Sequence, residues 1–478
     1  MKTIFSEAMI PLTALLLAGV NAKAATFSNL YNFTLTSFPV NTNSDGANPH
    51  GGLVLSGNTL YGTASSGGSS NFGTLFRLDT DGTGFTNLVN FTGSNGKNPY
   101  AGLALAGGSL YGTTAGGGSG SFGTAFKINT DGSGYTNFLN FIYNTAGNGV
   151  FGGLAVSSNA LYGTTDGGGS GFSGTVFKAN TDGTGFGSIH SFASSSSNAN
   201  TDGKYPDDTL VLSGNSLYGT ASSGGSFGNG AIFRVNIDGT GFTNLYSFTT
   251  NSSTFPNTNT DGRSPRAGLV VSGNTLYGTA RFAGSGASGT VFKLNTDGTG
   301  FGVLHSFSAI SSGTNADGAA PWGGLCLSGN TLYGTAAVGG DGGSGTVFKL
   351  NTDGTGFSVL YSFTATSGSS YTNSDGATPF DGLTLSTDNK LYGTTESGGT
   401  GGSGTVFALT LASTPAPLPL NIQLIGGKAI LSWNDPGLSF SLQAAPAVIG
   451  LYSNVPVALS PYTNPITGSR SFFRLKGN

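Results

Sequence analysis

The chain is poor in the residues that most enzymes use for chemistry. Its 478 residues include one cysteine and three histidines, and charged residues make up only 8%. A single cysteine, Cys326, excludes an internal disulfide. The few histidines do not assemble into a zinc cluster or a serine–histidine–aspartate set. With 18 basic and 21 acidic residues, no basic stripe exists to neutralise phosphates, so we predict no nucleic-acid binding.

Long apolar runs are missing except at the start of the chain. Residues 1–24 have a positive start at Lys2, an apolar run over 8–20 and small residues at the end, as in a secretory signal peptide. No other segment reaches the ~20 apolar residues that a membrane helix needs. The sequence therefore predicts a protein that is secreted, extracellular or on the outer cell surface, with no transmembrane segment beyond the signal peptide.

Glycine and aromatic residues are abundant, at 84 glycines and 11% aromatics. Disordered chains are poor in aromatics, so this composition indicates short strands separated by many turns. The motif Leu-Tyr-Gly-Thr occurs seven times, and successive tyrosines are 50, 51, 56, 59, 56 and 59 residues apart. A period near 50 is typical of β-propeller blades. The motif tyrosines are Tyr61, Tyr111, Tyr162, Tyr218, Tyr277, Tyr333 and Tyr392.

Each repeat divides into four strand-like segments, which we call a, b, c and d. In the fifth repeat they read GLVVSG, NTLYGTAR, GTVFKLN and GFGVLHSF, with short a–b and Asp-Gly c–d connections that suit tight hairpins. The seventh repeat has no d segment, whereas a d-like segment, TFSNLYNF, precedes the first repeat. We therefore predict an all-β, seven-bladed β-propeller over residues 25–412, closed by the N-terminal strand. A β-solenoid is the alternative.

The C-terminal part of the chain has a different pattern. Residues 413–419 form a proline-rich linker, since closely spaced prolines favour extended geometry. Residues 420–478 alternate without the Leu-Tyr-Gly-Thr motif. They predict a small C-terminal β-sandwich-like module, whose ~60 residues are near the lower limit for independent folding.

One position varies strongly between otherwise similar repeats. It lies just before segment a, and in the predicted propeller it surrounds the mouth of the central channel on the side of the long loops. Aromatic and charged side chains at such a mouth suit stacking on sugars or gripping a peptide side chain, although they could also merely plug the channel. We therefore expect the protein to bind a glycan or another protein. We also expect it to be a monomer. These rim residues are His50, Tyr100, Phe151, Asp207, Arg266, Trp322 and Phe380.

Other functions remain open from the sequence. The d–a loops carry Asn, Asp and Gly in patterns such as residues 41–49 and 257–265, which could supply oxygen ligands to Ca²⁺ but also make turns. We favour turns and predict no cofactor. An extracellular polysaccharide hydrolase or lyase could use Asp207, Asp166, Glu396 or His50. A purely structural surface spacer is the third alternative.

The linked pattern LYGTT, GTVFKLNTDGTGF and LxSF resembles the GloVer-type tandem repeat of exported bacterial proteins over residues 26–411. This resemblance implies a β-propeller-like, exported repeat protein whose relatives carry differing C-terminal sorting or anchoring segments. It brings no catalytic residues to this chain. The ending SFFRLKGN departs from the commonest sorting tail, which has a hydrophobic helix followed by basic residues, and is similar to small C-terminal β modules of other exported bacterial proteins.

Overall fold

Seven four-stranded sheets make up most of the protein. The computed structural model describes residues 25–142, 147–194, 199–252 and 256–411, and in the C-terminal part 421–425, 428–432, 440–445, 453–454, 462–465 and 472–477. Thr26–Thr410 forms one compact unit, whose antiparallel sheets form a seven-bladed β-propeller. The predicted all-β, seven-bladed architecture is thereby confirmed. The predicted signal peptide (1–24) and linker (413–419) lie outside the described residues.

The strands recur in the same order in every blade. The first strands, a, are β2 (Val54–Ser56), β6 (Ala104–Ala106), β10 (Ala155–Ser157), β14 (Val211–Ser213), β18 (Val270–Ser272), β22 (Cys326–Ser328) and β26 (Thr384–Leu385). The second strands, b, are β3 (Thr59–Ala64), β7 (Ser109–Thr114), β11 (Ala160–Thr165), β15 (Ser216–Ala221), β19 (Thr275–Ala280), β23 (Thr331–Ala336) and β27 (Lys390–Thr395).

The third and fourth strands complete each sheet. The third strands, c, are β4 (Thr74–Asp79), β8 (Thr124–Asn129), β12 (Thr175–Asn180), β16 (Ala231–Asn236), β20 (Thr290–Asn295), β24 (Thr346–Asn351) and β28 (Thr405–Thr410). The fourth strands, d, are β5 (Thr86–Asn90), β9 (Thr136–Asn140), β13 (Gly187–Ser191), β17 (Thr243–Ser247), β21 (Gly302–Ser306), β25 (Ser358–Ser362) and, in the seventh sheet, β1 (Thr26–Asn32).

The seventh sheet combines the two ends of the repeat region. Its strand order is β1-β28-β27-β26, and β1 runs antiparallel to β28 with Phe27 opposite Leu409 and Asn29 opposite Phe407. Just after β1, the fully buried Phe33 packs in one cluster with residues of the first and the seventh blade. β1 is thus the fourth strand of the seventh sheet.

The Leu-Tyr pair of each b strand packs between two neighbouring blades. Successive side chains of a strand point to opposite faces of its sheet. Leu60 is therefore buried with Tyr392 of the seventh blade, whereas Tyr61 is buried with Phe126 of the second blade. Both faces of strand b are covered, and this explains why the motif is apolar on both sides.

The motif glycine leaves room for an aromatic ring from the adjacent strand. Gly62 lies opposite Phe76 of strand c, and a Cβ added to it would stand 2.6 Å from that ring and 2.7 Å from Leu53. In all seven blades the added Cβ would meet a phenylalanine carbon at 2.4 to 2.7 Å. Any larger residue would push strand c away, so close packing requires glycine at this position.

The motif threonine joins each blade to the next. Its hydroxyl donates a hydrogen bond to the backbone carbonyl that directly follows a rim residue of the next blade, at 2.9 to 3.4 Å. The seventh blade makes the same bond to the first. The pairs are Thr63 and Ala101, Thr113 and Gly152, Thr164 and Asp208, Thr220 and Ala267, Thr279 and Gly323, Thr335 and Asp381, and Thr394 and Gly51.

Five of the d–a loops are held by a buried or half-buried aspartate. In the loop after strand β17, the Asp261 carboxylate accepts hydrogen bonds of 2.8 Å from the Tyr246 hydroxyl and from the Thr249 backbone N–H. Histidine replaces the tyrosine in two blades, where His305 Nε2 lies 3.0 Å from Asp317. The two blades with Val89 or Leu139 in this slot have no aspartate in the following loop. The aspartates are Asp45, Asp202, Asp261, Asp317 and Asp375.

The C-terminal part contains six described strands in two three-stranded antiparallel sheets. One sheet has the order β29-β30-β33 and the other β32-β31-β34. Within the described stretches of the whole chain there is no helix, and accordingly none that is long and apolar enough to cross a membrane. The strands are β29 (Asn421–Ile425), β30 (Lys428–Ser432), β31 (Phe440–Ala445), β32 (Ser453–Asn454), β33 (Tyr462–Pro465) and β34 (Phe472–Gly477).

Truncating Phe33 should destabilise the propeller strongly. Phe33→Ala leaves a cavity between the first and seventh blades, and we expect a loss of about 3–5 kcal/mol in the free energy of unfolding. Leu35→Ala is the matched control, because Leu35 is 62% exposed and its truncation should cost less than about 0.5 kcal/mol. Urea denaturation measures both variants. Equal losses would contradict the packing described here.

The Asp317 loop bonds should make part of the stability depend on acid. Burial alone would raise the pKa of Asp317, but hydrogen bonds from His305 and Ser308 outweigh it and lower this pKa. An aspartate with a lowered folded-state pKa stabilises the fold above its unfolded pKa of about 3.9, and this contribution is lost as the pH falls further. Asp317→Asn should therefore cost roughly 1 kcal/mol at pH 7 and progressively less below about pH 4.

Denaturation of wild type and Asp317→Asn at pH 7, 5 and 3 tests this expectation. Asp341→Asn serves as the control, since Asp341 is exposed and should change little at any of the three pH values. A difference between wild type and Asp317→Asn that stays constant down to pH 3 would show that the lowered pKa has no role.

Candidate ligand-binding pocket

All seven rim residues line one pocket at the end of the central channel. The pocket has a volume of about 310 Å³, and Ala101, Asp166, Asp208 and Asp381 complete its walls. Each rim residue directly precedes a carbonyl that a motif threonine of the neighbouring blade holds. The interblade bonds thus fix the backbone from which the seven side chains project.

Five of the rim residues form a continuous aromatic arc, which consists of Trp322, Phe380, His50, Tyr100 and Phe151. The Trp322 and Phe380 rings meet edge to face at 4.5 Å, and His50 stacks on Phe380 at 4.7 Å. Tyr100 lies 5.3 Å from His50 and 5.7 Å from Phe151. None of the five is fully buried, and Phe151 is 40% exposed. The arc therefore borders the pocket and leaves it open.

The remaining two rim residues form a charged sector. Arg266 Nη1 lies 3.4 Å from an Asp207 carboxylate oxygen, and the Asp207 side chain is only 10% exposed. Among the described residues, neither Asp207 oxygen has a hydrogen-bond partner. Asp207 thus lines the pocket with a buried carboxylate whose charge is paired with that of Arg266.

Asp166 stands next to Asp207 and affects its ionisation. Burial raises the pKa of Asp207 well above its usual range; the Arg266 charge opposes this shift, and the Asp166 charge adds to it.

Two further aspartates lie deeper, where the pocket meets a second cavity of about 200 Å³ in the channel. Asp208 accepts hydrogen bonds from the N–H groups of Thr209 at 2.5 Å and Gly268 at 2.6 Å. Asp381 likewise accepts from Gly382 and Gly52, both at 2.6 Å. Each carboxylate therefore bridges its own blade to the next. Burial and the nearby Asp381 charge raise the pKa of Asp208 to about 7.

Sequence reasoning missed these two floor aspartates and Arg281. The floor aspartates directly follow rim residues, and in the other five blades this position is glycine or alanine. Arg281 follows strand b, where the other blades have Ser65, Ala115, Asp166, Ser222, Ala337 and Glu396. Comparing all repeat positions beside the rim, and not only the position before segment a, would have revealed both sets.

The residues named for a possible enzyme are partly brought together. Asp166, Asp207 and His50 line the same pocket. Glu396 does not line it, but lies near His50, whose charge opposes the rise that burial causes in the pKa of Glu396. Asp166 is close enough to Asp207 for its charge to raise the pKa of Asp207.

The d–a loop aspartates are engaged by the protein. The Asp45 carboxylate, for example, accepts hydrogen bonds from the Tyr31 hydroxyl, the Thr34 backbone N–H and the Thr34 hydroxyl. Over the described part of the chain, no group of three or more His, Cys, Asp or Glu side chains is placed to hold a metal ion. The loop carboxylates therefore act as the turn-stabilising groups that their sequence pattern favours.

The fold and the site define a class of protein. It is an all-β propeller of repeated blades, with a pocket at the end of its channel whose lining side chains differ from blade to blade. A model of the Gloeobacter/Verrucomicrobia repeat matches residues 18–200 and 252–418. The chain therefore belongs to this repeat family, and the resemblance of its linked motifs to the GloVer-type repeat is confirmed. No curated protein matches the chain.

Solved structures of low sequence identity are similar in fold. An oligogalacturonate lyase in complex with manganese is similar over 83% of this chain and 99% of that chain, with 11% identity and a TM-score of 0.48. A chain of the nidogen/laminin complex is similar over 54% of this chain and 79% of that chain, with 14% identity and a TM-score of 0.34. Because both TM-scores are below 0.5, these likenesses carry no argument about function.

Proposed function

We propose that this protein is an exported, non-catalytic propeller that binds a sugar residue of a glycan in the pocket at the mouth of its channel. The observation that carries the proposal is the aromatic arc, which borders an open pocket of about 310 Å³. Small-ligand sites are mostly apolar clefts of about 300–1,000 Å³ with a few placed polar groups. One sugar ring is a ligand of suitable size.

The pocket matches both surfaces of a sugar. The C–H face of a sugar ring packs on aromatic rings such as Trp322 and Phe380. Its hydroxyl groups need acceptors and donors, and Asp207 and Arg266 on the charged sector supply them. A peptide side chain would also fit this volume. The charged Asp207–Arg266 pair beside the aromatic arc favours a ligand that has both an apolar face and hydroxyl groups.

A polysaccharide hydrolase or lyase is the second candidate, and the proximity of Asp166 to Asp207 is the observation that favours it. Glycoside hydrolysis uses two carboxyl groups about 5–5.5 Å or about 6.5–9.5 Å apart, with the sugar or a water between them. The Asp207 carboxyl instead pairs with the Arg266 guanidinium at 3.4 Å, and this pairing favours binding over hydrolysis. A structural spacer would need no open pocket.

We also propose export and a monomeric state. The signal-like residues 1–24 and membership in a repeat family that we associate with exported proteins support export. The N-terminal strand β1 would close the propeller by covering the edge of β28, so that the seventh blade has an outer d strand like the other six. Propellers of this kind leave only short, protected edges.

We further propose that residues 420–478 form a small β-sandwich. The described strands form two three-stranded sheets, and each contains a fully or almost fully buried leucine, Leu431 in one and Leu442 in the other. Inward-facing apolar residues on both sheets are what face-to-face packing requires.

Replacing Trp322 should weaken ligand binding without unfolding the protein. Trp322→Ala removes the largest aromatic ring of the arc, and we expect at least about tenfold weaker binding to any glycan that wild type binds. Phe172→Ala is the matched control, because Phe172 is 66% exposed in a long loop and does not line the pocket. A glycan array, followed by calorimetry on the best glycan, measures the effect.

The array decides between the candidate functions. Glycan binding that Trp322→Ala weakens and Phe172→Ala leaves intact supports the proposal. Release of shorter sugars or unsaturated products from the bound glycans would favour the enzyme. Absence of any glycan binding would refute the proposed function.

Removing residues 25–33 should expose the edge of β28. We expect the unfolding temperature to fall by on the order of 10 °C, since the loss combines about four backbone hydrogen bonds with buried Phe33. We also expect association of the shortened protein through the free edge. Thermal scans and sedimentation measure these effects. An unchanged unfolding temperature in a monomeric variant would exclude a closing role for β1.

A further inference from the structure

Three of the seven arginines of the chain lie in one basic stack on the fifth and sixth blades. We define this stack as Arg266, Trp322, Arg281, Phe282 and Arg263. The Arg281 guanidinium lies 3.4 Å from the centre of the Trp322 ring and 4.2 Å from that of Phe282. Arg266 lies 5.4 Å from Trp322, and Arg263 lies 5.3 Å from Phe282. Cations and aromatic rings thus alternate from the pocket wall outward.

Arg281 has no anionic partner. Arg266 is paired with Asp207 at 3.4 Å, whereas the described residues place no carboxylate within ion-pair distance of Arg281, and its buried Nε atom has no hydrogen-bond partner. A guanidinium has five N–H donors in a planar fork. Stacking on Trp322 orients this fork but satisfies none of the donors.

The two guanidinium groups beside Trp322 also repel each other. Burial and the Arg266 charge lower the pKa of Arg281 to about 10, so Arg281 remains cationic at neutral pH. Two like charges held together over one aromatic ring are stabilised when an anion binds between or beside them. The ion pair with Asp207 engages Arg266.

We propose that Arg281 and Arg266, oriented by Trp322, form an oxyanion subsite of the pocket for the carboxylate or sulfate group of an acidic sugar. This inference rests on the proposed function, because it names the class of sugar that the pocket selects. Arg266 and Trp322 line the pocket, and the Arg281 guanidinium lies 3.4 Å from the centre of the Trp322 ring. An anionic substituent of a sugar bound beside Trp322 would therefore come near both guanidinium groups. Planar forks match carboxylate and sulfate oxygens in paired hydrogen bonds.

The inference also explains why acidic and basic side chains lie on different walls of the pocket. The acidic residues Asp166 and Asp207 belong to the third and fourth blades, and the floor residue Asp381 to the seventh. Arg281, for which the described residues offer no carboxylate partner, is on the fifth blade beside Trp322. An acidic sugar whose anionic group meets the fifth blade has its hydroxyl groups toward the acceptors on the other walls.

Titrations with D-glucuronate, D-glucose and inorganic sulfate test the subsite. Glucuronate and glucose share their ring and most hydroxyl groups and differ in the carboxylate. We expect wild type to bind glucuronate about tenfold or more tightly than glucose, as one charge-assisted pair contributes about 1.5–3 kcal/mol. Arg281→Met should abolish this preference, because it should weaken glucuronate binding much more than glucose binding. Arg281→Lys should restore part of it through its charge.

Arg263→Met is the matched control, because Arg263 belongs to the same stack but contacts Phe282 and not Trp322. It should keep the preference for glucuronate. If both variants lose it equally, the stack acts only by holding Trp322 in place, and the subsite is refuted. Binding of sulfate that competes with glucuronate would show a general oxyanion site, whereas glucuronate binding without sulfate competition would show a carboxylate site.

The outcomes for the two proposals are distinguishable. Equal binding of glucose and glucuronate by wild type would overturn the oxyanion subsite and leave the sugar-binding pocket in place. Failure of both sugars to bind, together with an empty glycan array, would overturn the proposed function itself.

Discussion

The hydrogen bond from the motif threonine to the next blade is the interaction on which the site depends. It is made seven times, always to the carbonyl that directly follows a rim residue. Each blade thereby sets the backbone of its neighbour at the mouth of the channel. Because the bond uses a backbone carbonyl, it places no demand on the rim side chain. The backbone at the seven rim positions is thus held in place, while the side chain at each position can vary.

The other residues of the Leu-Tyr-Gly-Thr motif allow the blades to pack closely against each other. Leucine and tyrosine fill the two interfaces on either side of strand b, and glycine admits the phenylalanine of strand c. A uniform scaffold of this kind makes the differences among blades informative. The aromatic arc, the carboxyl pair and the basic stack each arise where one blade departs from the others at the same structural position.

The pocket combines apolar and polar surfaces that are separated around the channel axis. The aromatic arc runs over the sixth, seventh, first, second and third blades, while Asp207 and Arg266 belong to the fourth and fifth. Burial raises the pKa of several carboxyl groups there. Arg266 and Arg281, which both contact Trp322, belong to the fifth blade.

The sequence by itself determined the strand pattern, the number of blades and the rim positions, because hydrophobic alternation and turn residues act locally and recur seven times. It also indicated that the segment at residues 26–33 could supply the missing d strand. Only the tertiary structure decided which side chains share the pocket: Asp208 and Asp381 reach its floor, and Arg281 stacks on Trp322 from another blade. Contacts between blades join residues that are 40 or more positions apart in the sequence. A local sequence pattern does not show which of these residues meet.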